Sequence, residues 1–274
     1  MCDTCGCNIT SGNAHLVTEG GKLEKTDNGK MVVDVMHSLL HENDHQAEHN
    51  RTHFNNRGIL AINLMSSPGS GKTALLEATI DALKDKYNFA VIEGDLETEN
   101  DAQRIRAKGV PAIQIATGTA CHLDAHMLHD ALHKLSLDNI DIVFIENVGN
   151  LVCPASFDLG HHLNVTLLSS TEGDDKPAKY PVMFRSSDLL LITKADLLAV
   201  LDDFDTGRAE HCFRQLANSS PVMILSARKN QQLQQWFDWL EQKLSAHRQQ
   251  HIKQQHHHDH DHHHAHHHEH SHSG

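Results

Sequence analysis

An apolar run, Ile59-Leu60-Ala61-Ile62-Asn63-Leu64-Met65, leads straight into Ser66-Ser67-Pro68-Gly69-Ser70-Gly71-Lys72-Thr73, and an amphipathic stretch follows. This strand–loop–helix order constrains the chain more than any other feature. Glycine-rich backbone at a helix N-terminus turns a row of N–H groups toward one point, which suits an anion such as phosphate. In such a loop Lys72 would reach the β- and γ-phosphates, and Thr73 would offer its hydroxyl to Mg2+. Ser66 stands where the usual pattern begins with Gly, while Gly69 and Gly71 keep the positions of tightest wrapping. The expected phosphate-contacting set is therefore Pro68, Gly69, Ser70, Gly71, Lys72, Thr73 and Ala74.

Residues 58–245 continue the same alternation of apolar runs and amphipathic stretches. The spacing predicts strands at Ile59–Ser66, Ala90–Gly94, Ala112–Ala116, Ile140–Glu146, Val165–Ser169, Leu189–Thr193 and Val222–Ser226. Helices are expected at Lys72–Lys86, Asn100–Lys108, Leu123–Leu135, Asp205–Leu216 and Leu233–Leu244. Runs this rich in Ile, Val and Leu suit strands buried on both faces. The expected fold class is α/β, a mostly parallel sheet of about seven strands flanked by helices, as in P-loop NTPases. Around this domain lie residues 1–30, a thiol cluster and Gly/Asn-rich flexible linker, and 31–57, a lead-in helix; 246–274 is a His-dominated tail, expected to be disordered.

Base identity is read from Leu190-Leu191-Ile192-Thr193-Lys194-Ala195-Asp196, at the end of an apolar strand. A carboxylate at Asp196 can accept from both the ring N–H and the exocyclic amine of guanine. Adenine offers no such donor pair, so the pattern favours GTP over ATP. Thr193, Lys194, Ser226 and Ala227 are the expected companions of Asp196 at the base. Glu146-Asn147-Val148-Gly149 ends another strand and resembles D-x-x-G with Glu for Asp; Asp95 follows the second strand, where a switch segment would lie. Lys72, Thr73, Asp95 and Glu146 are thus the expected catalytic set around phosphates and Mg2+. Surface acids or helix caps are the plainer readings of Asp95 and Glu146. No Gln or Arg stands out as a water-orienting residue, so slow intrinsic turnover is expected.

Three groups of soft or imidazole ligands complete the reading. Cys2, Cys5 and Cys7 sit within the first seven residues, and removal of Met1 would add the α-amine of Cys2. Three thiolates and an amine in a plane suit Ni(II) or Cu(II), whereas a tetrahedral set would suit Zn(II). Cys121-His122, expected to begin a helix, and Cys153 follow strand C-termini and form either an incomplete Ni2+/Zn2+ set or a pair of core thiols. In the tail, His256, His257, His258, His260, His262, His263, His264, His266, His267, His268, His270 and His272 form an imidazole reservoir for nickel or zinc. His37, His41, His45, His49 and His53 recur every fourth residue; consecutive pairs could each clamp a metal, but the row winds round the helix, and a solvated helix surface is the favoured reading.

Composition narrows the function classes. The formal charge of −13, without a basic stripe, argues against nucleic-acid binding. No run approaches a membrane span and no signal peptide is evident; ligand thiols must also stay reduced, so a cytoplasmic location is expected.

Taken together, the C-x-x-C-G-C start, Ser66–Thr73, Gly94-Asp95-Leu96-Glu97-Thr98, Cys121-His122-Leu123-Asp124, Glu146–Pro154, Thr171–Pro181 and Thr193–Asp196 resemble the hydrogenase nickel-incorporation GTPases, the HypB family. The resemblance covers about residues 1–7 and 45–245. It implies a SIMIBI-class GTPase that forms a GTP-dependent homodimer and helps load nickel into [NiFe] hydrogenase. It also implies a HypA-type nickel chaperone and the hydrogenase large-subunit precursor as partners. By the same resemblance Cys2, Cys5 and Cys7 would be a tight nickel site, and Cys121, His122 and Cys153 a weaker Ni/Zn site. A nickel or zinc storage protein and a urease-type accessory GTPase are the alternatives; the latter carries Cys-Pro-His, not adjacent Cys-His.

Overall fold

The computed structural model describes residues 30–95, 100–118 and 120–263, with side chains over 40–95, 100–118 and 120–253. Seven strands form one sheet: β1 Leu60–Ser66, β2 Phe89–Asp95, β3 Ala112–Ala116, β4 Ile142–Glu146, β5 Leu163–Ser169, β6 Leu189–Thr193 and β7 Val222–Ile224. Their order is β3-β2-β4-β1-β5-β6-β7, and every pairing is parallel. The expected sheet is therefore present, with strand ends shifted by one or two residues. β7 stops at Ile224, and Ser226 instead forms a lone antiparallel bridge with Gln231.

Alternation along β1 assigns the two faces, since successive side chains point to opposite sides. Leu60, Ile62 and Leu64 pack with Leu75, Leu76 and Ile80 of α2 (Lys72–Leu83) and with Trp236, Trp239 and Leu240 of α8 (Leu233–His263). Ile59 and Ala61 face the other layer, with Phe54 of α1 (Lys30–Asn55) and Leu128 and Leu132 of α4 (Ala125–Lys134). Trp236 also uses its polar edge: Nε1–H donates to Thr79 Oγ1 at 2.8 Å, inside the core. Between these helices lie α3 (Asn100–Arg106), the short α5 (Lys176–Lys179) and α6 (Pro181–Arg185), and α7 (Thr206–Arg214).

Two elements differ from the sequence expectation. α4 starts at Ala125, not at Cys121, because Asp124 caps it: Oδ1 accepts from Met127 N at 2.8 Å. α8 continues beyond Leu244 to His263. Its extension is docked, with the His247 ring 4.3 Å from that of His162 and the His251 ring beside Gly58.

α1 is seated by polar contacts that sequence periodicity does not reveal. Asn50, fully buried, donates from Nδ2 to Ala125 O at 2.8 Å and to Leu159 O at 3.1 Å. Asn43 spans the same gap, donating to Asp158 O and accepting from Ala125 N. Gly160 (φ 85°) brings its backbone so close that a Cβ would lie 2.2 Å from Ala47 O.

Gly160→Ala should therefore cost about 2–3 kcal/mol or more by denaturant unfolding, through positive-φ strain plus displacement of α1. Gly109→Ala, at φ 80° with nothing within 4 Å of its Cβ, carries only the strain and should cost about 1 kcal/mol. Equal losses at the two positions would contradict this seating of α1.

Candidate nucleotide and metal sites

Parallel register delivers every strand's C-terminus to one edge of the sheet, and both candidate sites lie there. Gly69 (φ 73°) and Gly71 (φ 94°) supply the left-handed turns that aim the loop between β1 and α2 at this edge. Lys72 is almost fully buried, and its Nζ donates to Ser66 Oγ at 3.0 Å. Ser66 thus does something glycine could not: its hydroxyl accepts from the lysine. Burial lowers the Lys72 pKa, while Glu146 opposes the shift.

Pro68, Gly69, Gly71, Lys72, Thr73, Ala74, Asp95 and Glu146 line one cleft of about 390 Å3. Thr73 donates its hydroxyl to Glu146, at 3.0 and 3.3 Å from the two carboxylate oxygens. Glu146 has its pKa pushed up to about 7, chiefly by burial. Glu93, its neighbour across the β2–β4 ladder, is pushed up to about 8 by burial and then by Glu146 itself. Carboxylates crowded and desolvated in this way fit a divalent cation, which would relieve both penalties at once.

A second cavity of about 180 Å3 adjoins the cleft and shares Gly71 and Ala74 with it. Ser70, Thr193, Lys194, Asp196, Ser226 and Ala227 line it. Thr193 donates to Ser70 O at 2.7 Å and so ties the base-side strand to the phosphate loop. Lys194 adopts a left-handed turn (φ 57°), and Ser226 donates to Asp196 Oδ1 at 2.5 Å, which fixes the carboxylate at the pocket wall.

Three residues of the site escaped sequence reading as individuals. Glu172 accepts from Ser67 and Ser70, both at 2.6 Å, and so braces the phosphate loop from the β5 side. Asp101 and Arg104, paired at 2.7 Å on α3, line the cleft opposite Glu146. Its place in Thr171–Pro181, just past the end of β5, was the signal for Glu172, and nothing local marked the other two.

The expected metal ligands Cys121, His122 and Cys153 also converge. Their ligating atoms all lie within 4.8 Å of one another, with the two sulfurs 2.9 Å apart. Both thiols are half-buried, so they are not closed core cysteines. His122 is fully buried and stacks on Phe157 at 4.0 Å, and its Nε2 has no hydrogen-bond partner among the described residues. Burial lowers its pKa to about 4, so the ring is neutral at pH 7, the form that ligates metal. Burial and the adjacent Cys153 push Cys121 up to about 12. Two thiols and a neutral imidazole fit a soft divalent ion that would displace the thiol protons.

The two sites are joined through the end of β4. Asn147, buried, accepts from Leu123 N at 3.3 Å and donates to Asn63 Oδ1 at 3.2 Å. Gly149 lies against the phosphate loop, where a Cβ would meet Pro68 Cα at 2.8 Å. Asn150 donates to Cys121 O at 3.3 Å. Cys2, Cys5, Cys7, Leu96–Thr98 and His264 onward lie outside the described residues; His256–His263 are described only as helical backbone.

A phosphate loop with this sheet order and a base pocket closed by Asp196 defines a P-loop nucleotide-binding protein. Residues 60–223 match the CobW/HypB/UreG nucleotide-binding domain family. Within that class the chain belongs to the HypB hydrogenase maturation factors. It is 50% identical to the HypB of Escherichia coli K12 over 217 residues, 79% of this chain and 74% of that one. It is 44% identical to the hydrogenase/urease maturation factor HypB of Helicobacter hepaticus, over 84% of this chain and 96% of that one. The crystal structure of Helicobacter pylori HypB in complex with nickel superposes with TM-score 0.71 at 41% identity, covering 75% of this chain and 96% of that one. HypB of Archaeoglobus fulgidus gives 0.70 at 36% identity, with 75% and 100% coverage.

Because Glu146 prefers its protonated form, neutral Gln should relieve a penalty in the nucleotide-free protein. A carboxylate raised from 4.5 to about 7 loses folding stability as pH rises through that window. The stability advantage of Glu146→Gln should therefore grow between pH 4.5 and 7, as read by urea unfolding. Mg2+-dependent nucleotide binding should weaken in the same variant. A pH-independent stability difference would contradict the assignment.

Proposed function

We propose that the chain is a GTP-hydrolysing nickel metallochaperone that assists nickel insertion into the [NiFe] hydrogenase precursor. The observation that carries this reading is the convergence of a guanine-type pocket, a phosphate cleft and a thiol–imidazole set along one sheet edge. Family membership and the nickel complex of the Helicobacter pylori relative support nickel as the cargo.

In this reading the backbone N–H groups of residues 69–73 hold the phosphates, and Lys72 leaves Ser66 to reach the β- and γ-oxygens. Mg2+, held by Thr73 with Glu146 and Asp95 nearby, would neutralise charge developing on the phosphoryl oxygens. Asp196 Oδ1, held by Ser226, leaves Oδ2 and its remaining lone pairs for the guanine N1–H and amine. Among the described residues no glutamine lines the cleft, in keeping with the slow turnover expected from the sequence.

Nickel would bind to Cys121, His122 and Cys153, with a second copy of the chain completing the coordination in a GTP-dependent homodimer. Cys2, Cys5 and Cys7 would form a tighter site, and the His256–His272 tail a store. Zn2+ would compete at these sulfur-containing sites. The HypA-type chaperone and the large-subunit precursor are the expected partners. Thiol ligands require a reducing compartment, which supports a cytoplasmic location. No helix among the described residues is long and apolar enough to cross a membrane.

Replacing Asp196 with Asn tests the base assignment. An amide can donate to the 2-oxo group of xanthine but faces the guanine amine donor to donor. Asp196→Asn should lower GTP affinity about a hundredfold or more and raise XTP affinity correspondingly, by nucleotide titration. Unchanged GTP binding, or no Mg2+-dependent phosphate release from GTP by the parent chain, would overturn the GTPase reading.

A further inference from the structure

We propose a separate metal site on the helical face opposite α2 and α8, where imidazoles of α1 and α4 hold one divalent transition-metal ion. His129 and His133 are its principal ligands, and His49 and His53 complete it. It depends neither on the nucleotide pocket nor on the Cys121/His122/Cys153 set.

The His49 and His53 positions are part of the every-fourth-residue row, and in that row His41, His45 and His49 are exposed. As a helix surface alone the row is unremarkable. What changes its meaning is the helix against which it lies. On α4, His129 and His133 are also four residues apart, hence on one face. The His49 ring centre lies 5.0 Å from that of His129, and the His53 ring centre 6.4 Å from that of His133. His129 and His133 lie 4.4 Å apart by the same measure. Two imidazoles on one ion, each at about 2.0–2.1 Å from it, place their ring centres about 5 Å apart. His129 and His133 thus already stand at ligand spacing with their nitrogens adjacent, and His49 and His53 reach the same point only after side-chain turns.

The nitrogen atoms agree with this. His133 Nε2 and His129 Nε2 are 3.0 Å apart. With metal–nitrogen bonds of about 2.0–2.1 Å, that separation subtends about 95° at a shared ion. Tautomer assignment follows from Asn50. Its Nδ2 is committed to Ala125 O and Leu159 O, so Oδ1 is the acceptor that faces His129 Nδ1 at 3.2 Å. His129 Nδ1 must therefore carry the proton, and Nε2 presents its lone pair to the cluster. Metal-ligating histidines are commonly oriented in this way by a hydrogen bond from the other ring nitrogen. Burial and then the neighbouring imidazoles depress the pKa of His129; burial, then the Arg57 guanidinium and only after it the imidazoles, depress that of His53. An all-imidazole set suits Zn(II), Ni(II) or Cu(II).

An ion there would staple α1, which follows the thiol-bearing N-terminus, to α4, which follows Cys121-His122. Zinc is the probe, added to the full chain with Cys2, Cys5, Cys7, Cys121 and Cys153 replaced by Ser so that both sulfur-containing sets are silent. Zinc should slow amide hydrogen exchange around residues 49–53 and 126–133, and His129→Gln/His133→Gln should abolish that protection and remove one bound equivalent. Because His129 is half-buried, the more exposed pair His49→Gln/His133→Gln provides a second break that spares the Asn50 contact; it should weaken the protective effect at least tenfold in zinc concentration. Circular dichroism distinguishes these losses from unfolding. Zinc-dependent protection that persists in both double variants, or its absence from the Cys-to-Ser parent chain, would overturn the proposal.

Discussion

Everything at the functional edge depends on the parallel pairing of β1 with β4 and of β4 with β2. That register sets Leu64 beside Glu146 and Glu93 beside Glu146. A parallel ladder has no alternation of strand direction, so the loops that leave β1, β2, β3, β4, β5, β6 and β7 all emerge together. The phosphate loop, Asp95, the Cys121 segment, the Glu146–Cys153 segment, Glu172, Asp196 and Ser226 are products of that one constraint. It also creates the electrostatic tension of the site. Two carboxylates on adjacent strands and a buried lysine share a desolvated cleft, each with its pKa displaced against its charged form. Such an arrangement costs folding stability, and a divalent cation bound together with an anion would relieve it.

The same strand ends connect chemistry to metal. The loop after β4 touches the phosphate loop at Gly149–Pro68 and the metal segment at Asn147–Leu123 and Asn150–Cys121. Gly94, at the end of β2, packs on Leu123, with a would-be Cβ only 2.7 Å from its side chain. A shift of the β2 or β4 ends would therefore reach Cys121 and Cys153. Packing this close transmits displacement because there is no free volume to absorb it. The two thiols come from different strands' loops, so a change in the distance between those loops would alter the spacing of Cys121 and Cys153.

Local chemistry was well legible in the sequence where a residue's role is set by its immediate neighbours. Gly69, Gly71, Lys72 and Thr73 could be read because strand, loop and helix are contiguous. Asp196 could be read because it ends an apolar run, and the strand positions because both faces of the sheet are buried. Contacts between distant segments were not legible. Glu172 braces the phosphate loop from over a hundred residues away, with Ser67 and Ser70 as partners. α8 extends past Leu244 because His247 and His251 find neighbours near β1, at His162 and Gly58. The histidine row of α1 could be read either as solvated surface or as metal-clamping pairs, and the facing pair on α4 was visible in neither reading. In each case the missing information was spatial proximity, which periodicity along one segment does not encode.

The central claim is that one sheet edge couples nucleotide state to metal affinity through the Glu146–Cys153 segment. The most direct test is the Ni(II) affinity of Cys121/His122/Cys153, measured in the full chain with Cys2, Cys5 and Cys7 replaced by Ser. Affinity would be compared in the GDP state and with a non-hydrolysable GTP analogue, using thiolate-to-nickel absorption to isolate the sulfur site from the histidine tail. The account predicts different affinities in the two states, by fivefold or more on the scale of about 1–3 kcal/mol for coupled sites. Equal affinities, with nickel leaving nucleotide binding unchanged, would contradict it.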